Sequence, residues 1–139
     1  MGVVVDSSVL ITLERADTTI EKALGTYRDP CISSVVVSEL LAGVLLADSP
    51  ARAQARQGFV DDVLASLPVI GFNVPDAREH ARLSVELRRN GTPVGERDPL
   101  IAATAIANGH SVMTANTREF ERVPGLHVTP PPNHQEEPE

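Results

Sequence analysis

Val3-Val4-Val5-Asp6-Ser7-Ser8-Val9-Leu10 is the stretch that decides the fold. Three β-branched residues in a row suit a strand buried on both faces, as in parallel sheets. Asp6-Ser7-Ser8 then offers helix-capping side chains, and Val9, Leu10 and Leu13 line one face of a helix running to about Arg15. A strand feeding directly into a helix is the first half of a β-α-β unit. The same alternation continues outward. Ile20 to Tyr27 reads as a short helix, broken by Asp29-Pro30 ahead of a brief strand at Cys31-Ile32-Ser33. Ser34 is placed to cap a helix from Val35 to Leu46, and Ser49-Pro50 opens another that reaches about Leu67. Val69-Ile70-Gly71-Phe72 reads as the third strand. Asp76 to Arg89 is amphipathic, with Ala77, Ala81 and Val85 as its apolar stripe and Asn90-Gly91 as its stop. A helix from Pro99 to Asn108 ends at Gly109, and Ser111 to Thr114 and Leu126-His127-Val128 are the last strands. No internal repeat is visible. Strands alternating with helices predict an α/β domain: a central parallel sheet of four to five strands with helices on both faces.

The chain has 139 residues, enough for one domain with a real core. Its 3% aromatic content means that Val, Leu, Ile and Ala must build that core. The single cysteine, Cys31, cannot form an internal disulfide and reads as a small buried apolar residue. No basic region precedes the first apolar stretch, which Asp6 interrupts, so no secretory signal is expected. Met1-Gly2 lacks the Ser or Thr that myristoylation wants at position 6. No run is long enough to span a membrane, and the expected location is the cytoplasm. The formal charge of −7 argues against a broad basic face for nucleic acid. It is partly local: after Pro130-Pro131-Pro132 the last seven residues carry three glutamates and no lysine or arginine. Residues 130–139 therefore read as a disordered acidic tail, and 1–129 as the folded domain.

Four polar positions stand apart from this apolar framework. Asp6 ends the first strand, Glu39 interrupts Val35-Val36-Val37-Ser38-Glu39-Leu40-Leu41, Asp98 opens a helix, and Asn116 follows Ser111-Val112-Met113-Thr114. Each has an ordinary explanation. Asp6 and Asp98 can be helix caps, Asn116 a turn residue, and Glu39 part of a solvated stripe. The last is weakest, since no other charge occurs between Cys31 and Leu46. Jointly the four say more. Ligands of a parallel sheet bind at the strands' carboxyl ends, where Asp6 and Asn116 fall and where the helix after Asp98 can begin. Three carboxylates and an amide oxygen suit a hard divalent cation, Mg²⁺ or Mn²⁺, with Ser7, Ser8 and Thr114 as orienting hydroxyls. Soft-metal spacing, a nucleophile elbow, a Walker A loop and a dinucleotide turn are all missing from the sequence.

With these segments in hand, the chain resembles the PIN-domain ribonucleases, specifically the VapC-type toxins of bacterial toxin–antitoxin pairs. The matching stretches are Val4 to Leu10, Ile32 to Gly43, Asp98 to Ala105, and Thr114 to Phe120, in order, within residues 3 to about 128. The resemblance implies a PIN-like three-layer sandwich. It aligns Asp6, Glu39 and Asp98 with the family's acidic triad, Asn116 with its fourth position, and Glu119 with a further acidic residue of many relatives. Pro99 and Arg97 depart from the pattern, Arg97 standing where smaller residues are frequent.

The implied activity is endoribonucleolytic cleavage. One or two Mg²⁺ held by Asp6, Asp98 and Glu39 would activate water and neutralise developing charge, leaving a 5′-phosphate and a 3′-hydroxyl. Glu39 could instead serve as a base. Lys22 is the only lysine, so phosphate contacts would fall to arginines such as Arg15, Arg88, Arg89, Arg97 and Arg118. The expected partners are a VapB-like antitoxin reaching the acidic cleft with a cationic side chain, a second copy of the chain, and a structured RNA, tRNA or rRNA. Two rivals remain. A phosphorelay receiver would need an Asp after the third strand and a late lysine, and this chain has neither. A catalytically silent PIN-like binding module would not need the intact acidic set. Because like charges repel, Asp6→Ala and Asp98→Ala are both expected to leave the fold intact.

Overall fold

The computed structural model describes residues 1–92 and 95–132. They form a five-stranded, all-parallel sheet in the order β3-β2-β1-β4-β5. At its centre lies β1 (Val3–Val5), each residue of it buried. On one side β1 pairs with β2 (Pro30–Ser33), Val4 opposite Cys31, and β2 pairs with β3 (Val69–Ile70). On the other side Val4 lies opposite Val112 of β4 (Ser111–Met113), which pairs with β5 (Val128–Thr129). The chain thus moves outward from β1 through β2 to β3, then returns to the far side of β1. The right-handed crossover rule puts helices before β3 on one face and those after it on the other.

The first face carries α1 (Ser7–Arg15), α2 (Ile20–Leu24), α3 (Ser34–Leu45) and α4 (Pro50–Ser66). The second carries α5 (Val74–Arg89), α6 (Arg97–Ala107) and α7 (Thr117–Glu121). The core is aliphatic, as the composition requires, with Phe120 its fully buried aromatic.

Several boundaries differ from expectation for identifiable reasons. Ser33, not Ser34, caps α3, its hydroxyl accepting from Val36 N at 3.3 Å. The second helix stops at Leu24, where Gly25 takes the cap position. The third strand ends at Ile70, because Asn73 is drawn into the start of α5: its N–H donates to Asp76 Oδ2 at 2.9 Å. α6 begins at Arg97, two residues ahead of Pro99. A proline in the first turn costs no hydrogen bond there, and Glu96 rather than Asp98 holds the cap position. The last strand is shifted to Val128–Thr129.

The apolar stripe assigned to α5 is a correction. Ala77, Ala81 and Val85 face outward, while Leu83 and Leu87 pack inward beside a buried Asp76. Two leucines bury more apolar area than two alanines and a valine, and Asp76 is matched by Asn73 and by Asn108 Nδ2 at 3.3 Å.

The predicted acidic tail falls mainly on residues 133–139, outside the described residues; 130–132 form neither helix nor strand. Among the described residues no helix is long and apolar enough to cross a membrane.

Cys31 is buried on β2, and burial followed by the charge of Asp29 pushes its thiol from 9.0 up to about 11. We expect native protein at pH 8 to resist iodoacetamide and urea-unfolded protein to react, as mass spectrometry would show. The raised value also means that the thiol's contribution to stability is complete below pH 9.0 and is lost as pH rises through about 11.

Candidate active site

The strand order reverses direction beside β1, so the carboxyl ends of β1 and β4 border the crevice where such sheets bind ligands. Asp6 is the residue that leaves β1 there. Its N–H donates to Met113 O at 2.9 Å, which ties it to the end of β4. Its side chain is buried and fully engaged. Oδ1 accepts from Ser7 N at 2.9 Å, the helix-cap bond; Oδ2 accepts from the Ser8 and Thr114 hydroxyls, both at 2.8 Å. Those hydroxyls in turn accept from Ala115 N (3.1 Å) and Asn116 N (2.9 Å). The network fixes the carboxylate's rotation and leaves Oδ1 toward the crevice. Capping and site geometry are thus both served by one side chain.

Glu39 reaches the same crevice from α3. Val36 and Leu40 turn inward there and place Glu39 on the flank, half-buried and aimed toward α6. Asp98 comes from the first turn of α6. The three carboxylates converge on a single cation, the Arg97 guanidinium. Nε donates to Glu39 Oε2, Nη1 to Asp98 Oδ1 at 2.5 Å, and Nη2 to Asp6 Oδ1 and to Ser7 Oγ at 2.7 Å. Its planar fork engages all three at once, which an ammonium could not do with the same geometry. Burial opposes the charge of Arg97, but hydrogen bonding with Glu39 and the field of Asp6 outweigh it and raise its pKa. Asp98 is raised as well: burial comes first, and repulsion from Asp6 and Glu119 adds to it against the pull of Arg97. One guanidinium against three carboxylates leaves the crevice with excess negative charge.

The donor set fits a hard divalent cation. All three convergent groups are carboxylates, and Glu39 Oε1 is buried without a hydrogen-bond partner among the described residues. An orphaned acceptor beside excess negative charge is what an additional cation would relieve. Yet no three acidic, histidine or cysteine side chains stand ready-grouped around one metal position among the described residues. Arg97 stands between the carboxylates instead, and a metal would have to displace it.

The remaining predicted positions are more loosely placed. Asn116 sits at the start of α7, exposed, with no side-chain cap bond. Glu119, one turn on, is close enough to act on Asp98 through its charge. Arg118 is exposed on α7. Arg15 lines a cleft of about 300 Å³ alongside Glu39, together with Arg56, whose Nη1 donates to Gly43 O at 2.7 Å. Sequence reasoning missed Arg56, because only folding α4 against α3 brings it beside Glu39. Arg88 and Arg89 lie on α5, lining clefts that contain none of the carboxylates.

The expectation for Asp6→Ala also needs correction. The carboxylates do not simply repel one another, because Arg97 joins them and Asp6 satisfies four donors.

A parallel sheet with three convergent carboxylates at its switch point defines an α/β protein with an acidic crevice, and comparison with known families narrows the class. Residues 3–126 match the PIN domain, and the chain belongs to that family. Within it the chain groups with the VapC-type ribonucleases, toxins of toxin–antitoxin systems. It is 33% identical over 128 residues to "Ribonuclease VapC1" of Rickettsia felis, covering 92% of this chain and 95% of that protein. It is 38% identical over 98 residues to a "tRNA(fMet)-specific endonuclease VapC" of Salmonella typhimurium, covering 70% and 72%. Among solved structures, VapBC2 of Rickettsia felis bound to a promoter DNA fragment matches with a TM-score of 0.81 at 27% identity, covering 94% of this chain and 98% of that one. The DNA-bound VapBC of Salmonella typhimurium matches at 0.79 and 31%, with the same coverage.

Proposed function

We propose that this chain is a divalent-metal-dependent endoribonuclease toxin that cuts structured RNA, a tRNA or rRNA, at a single-stranded loop and so halts translation. The observation that carries this reading is the convergence of Asp6, Glu39 and Asp98 on one cationic position at the sheet's switch point. These three would hold Mg²⁺ or Mn²⁺, which supplies Lewis acidity for the attacking water and for the phosphoryl charge. Ser7, Ser8 and Thr114 position Asp6. Glu39, with one oxygen free of hydrogen bonds among the described residues, can act as ligand or base. Asn116, whose N–H donates to Thr114 Oγ1, and Glu119, whose charge reaches Asp98, would orient water or substrate.

Glu39 stands between two clefts, one bordered by Arg15 and Arg56, the other by Ser38, Glu96 and Arg97. An unpaired strand passing over it would meet a few arginines among acidic and apolar side chains. Arg118, and Arg97 once it leaves the carboxylates, would contact phosphate. So few bases cannot read a long sequence, and recognition rests on RNA shape and a short loop. Salt should weaken binding with a shallow slope.

Leu41, Leu45 and Leu46 are exposed near the end of α3, Leu45 at 86%. We assign the exposed apolar surface to protein partners: a second copy of the chain and a VapB-like antitoxin, as in the VapBC complexes of the relatives. An antitoxin cation entering the cleft would compete with Arg97. A purely monomeric mass by light scattering at micromolar concentration would count against the homodimer.

A second reading, the silent binding module, draws on Arg97 already filling the carboxylate cluster. End-mapping of total RNA treated with purified protein separates the two. We expect new 5′-phosphate ends at one dominant loop in the presence of Mg²⁺ or Mn²⁺, and none in EDTA. Cleavage that persists in EDTA would remove the metal; fragments scattered over unrelated messages would remove the structured target. An absence of cleavage with either metal would favour the silent module.

A further inference from the structure

We propose that Arg97 is a built-in competitor of the divalent cation: its guanidinium holds Asp6, Glu39 and Asp98 until a metal displaces it, so it sets the metal concentration at which the site loads. This rests on the metal reading proposed above.

The competition is imposed by particular oxygens. Asp6 Oδ2 is already committed to the Ser8 and Thr114 hydroxyls, so Oδ1 is the oxygen that turns to the crevice. Arg97 Nη2 donates to that oxygen, and Nη1 donates to Asp98 Oδ1. A Mg²⁺ demands carboxylate oxygens at about 2.0–2.1 Å in octahedral geometry, which leaves no room for a guanidinium donating to the same atoms. Occupancy by one cation excludes the other at Asp6 Oδ1.

Release does not require the fold to open. Arg97 lies in the first turn of α6, anchored through its own backbone, and its side chain borders the cleft formed with Val35, Ser38, Glu39, Glu96 and Leu100, which lies away from Asp6. A rotation of its side-chain torsions moves the guanidinium into that cleft while Asp98 stays in place. The driving force is charge: one positive charge faces three carboxylates, and a divalent ion meets the excess that Arg97 leaves. The barrier to loading is the loss of three ion pairs and the bond to Ser7 Oγ. Without Arg97 that loss disappears.

The test is Mn²⁺ binding by calorimetry to chelator-stripped protein, comparing wild type, Arg97→Gln, Arg97→Lys and Asp98→Asn, with melting in EDTA as a second measurement. Arg97→Gln is expected to bind Mn²⁺ roughly tenfold or more tightly than wild type, since a unit charge a few ångströms from the metal is removed. It should also melt lower than wild type in EDTA and recover with Mn²⁺. Arg97→Lys, which keeps the charge but not the fork, should fall between. In wild type, the Arg97 Nε–H resonance should shift and broaden on titration with Mg²⁺. If Arg97→Gln fails to fold without metal, the lysine variant and the wild-type resonance decide the matter. Mn²⁺ binding that Asp98→Asn abolishes but Arg97→Gln leaves unchanged, or an Nε–H signal indifferent to saturating Mg²⁺, overturns the role of Arg97 alone. Uptake of Mn²⁺ by none of the four proteins overturns the metal reading and this proposal with it.

Discussion

Asp98→Asn is expected to reduce RNA cleavage on the order of a hundred- to a thousandfold while leaving the fold intact. The substitution keeps the side chain's shape and removes its charge, so it strips one ligand from the cationic position. Structurally Asp98 is lightly held. Among the described residues its side chain has one bonded partner, Arg97, which keeps Asp6 and Glu39. Its pKa is raised by burial first and by the nearby acids second. A carboxyl with a raised folded-state pKa contributes stability below its unfolded value and loses it as pH rises through the folded one. At neutral pH the ionised group is therefore a small liability, and a neutral amide should not lower the melting temperature. Single-turnover cleavage with a melting curve on the same sample checks both halves. Wild-type activity in Asp98→Asn would remove it from the site.

Asp6→Ala is expected to behave differently, losing cleavage and about 3 kcal/mol of stability together. The carboxylate is buried, and its removal strands Ser7 N, the Ser8 and Thr114 hydroxyls and one arm of Arg97. It also removes the cap of α1. For contrast, Arg52 pairs with Asp48 on the surface at 3.2 Å with both side chains mostly exposed, a pair worth under about 1 kcal/mol. Asp6→Asn retains an oxygen for part of this network and should lose less stability than the alanine variant. Urea unfolding of both variants in EDTA measures the difference. An alanine variant as stable as wild type would mean that the hydroxyl network does not hold the strand end.

Asp6 and Glu39 stand out in the sequence because a chain this apolar gives few reasons for a charge inside Val35 to Leu46 or at the end of Val3-Val4-Val5. The orienting hydroxyls were legible too, since Ser8 lies two residues from Asp6 and Thr114 ends the neighbouring strand. Arg97 was visible only as an oddity. Nothing along the chain says that residues 6, 39 and 97 meet, because their contact depends on α3 and α6 leaning together over the end of β1. The inward face of α5 is hidden from the sequence for a related reason. Period alone offers two stripes on that helix, and the packing of α5 on α6 selects the leucines.

Local chemistry in the sequence by itself determined the alternation of strands and helices, the aliphatic core, the break at Asn90-Gly91, and which carboxylates were out of place. These follow from β-branching, capping and periodicity within a few residues. Tertiary structure alone decided the return of the chain to the far side of β1, the inward face of α5, and the seating of Arg97 among three carboxylates. Such features depend on contacts between residues far apart in the chain, and a guanidinium two residues from a proline looks the same in sequence whether it points to water or into a site. Only the folded geometry, bringing Asp6 and Glu39 within hydrogen-bond reach of one planar cation, determines which it does.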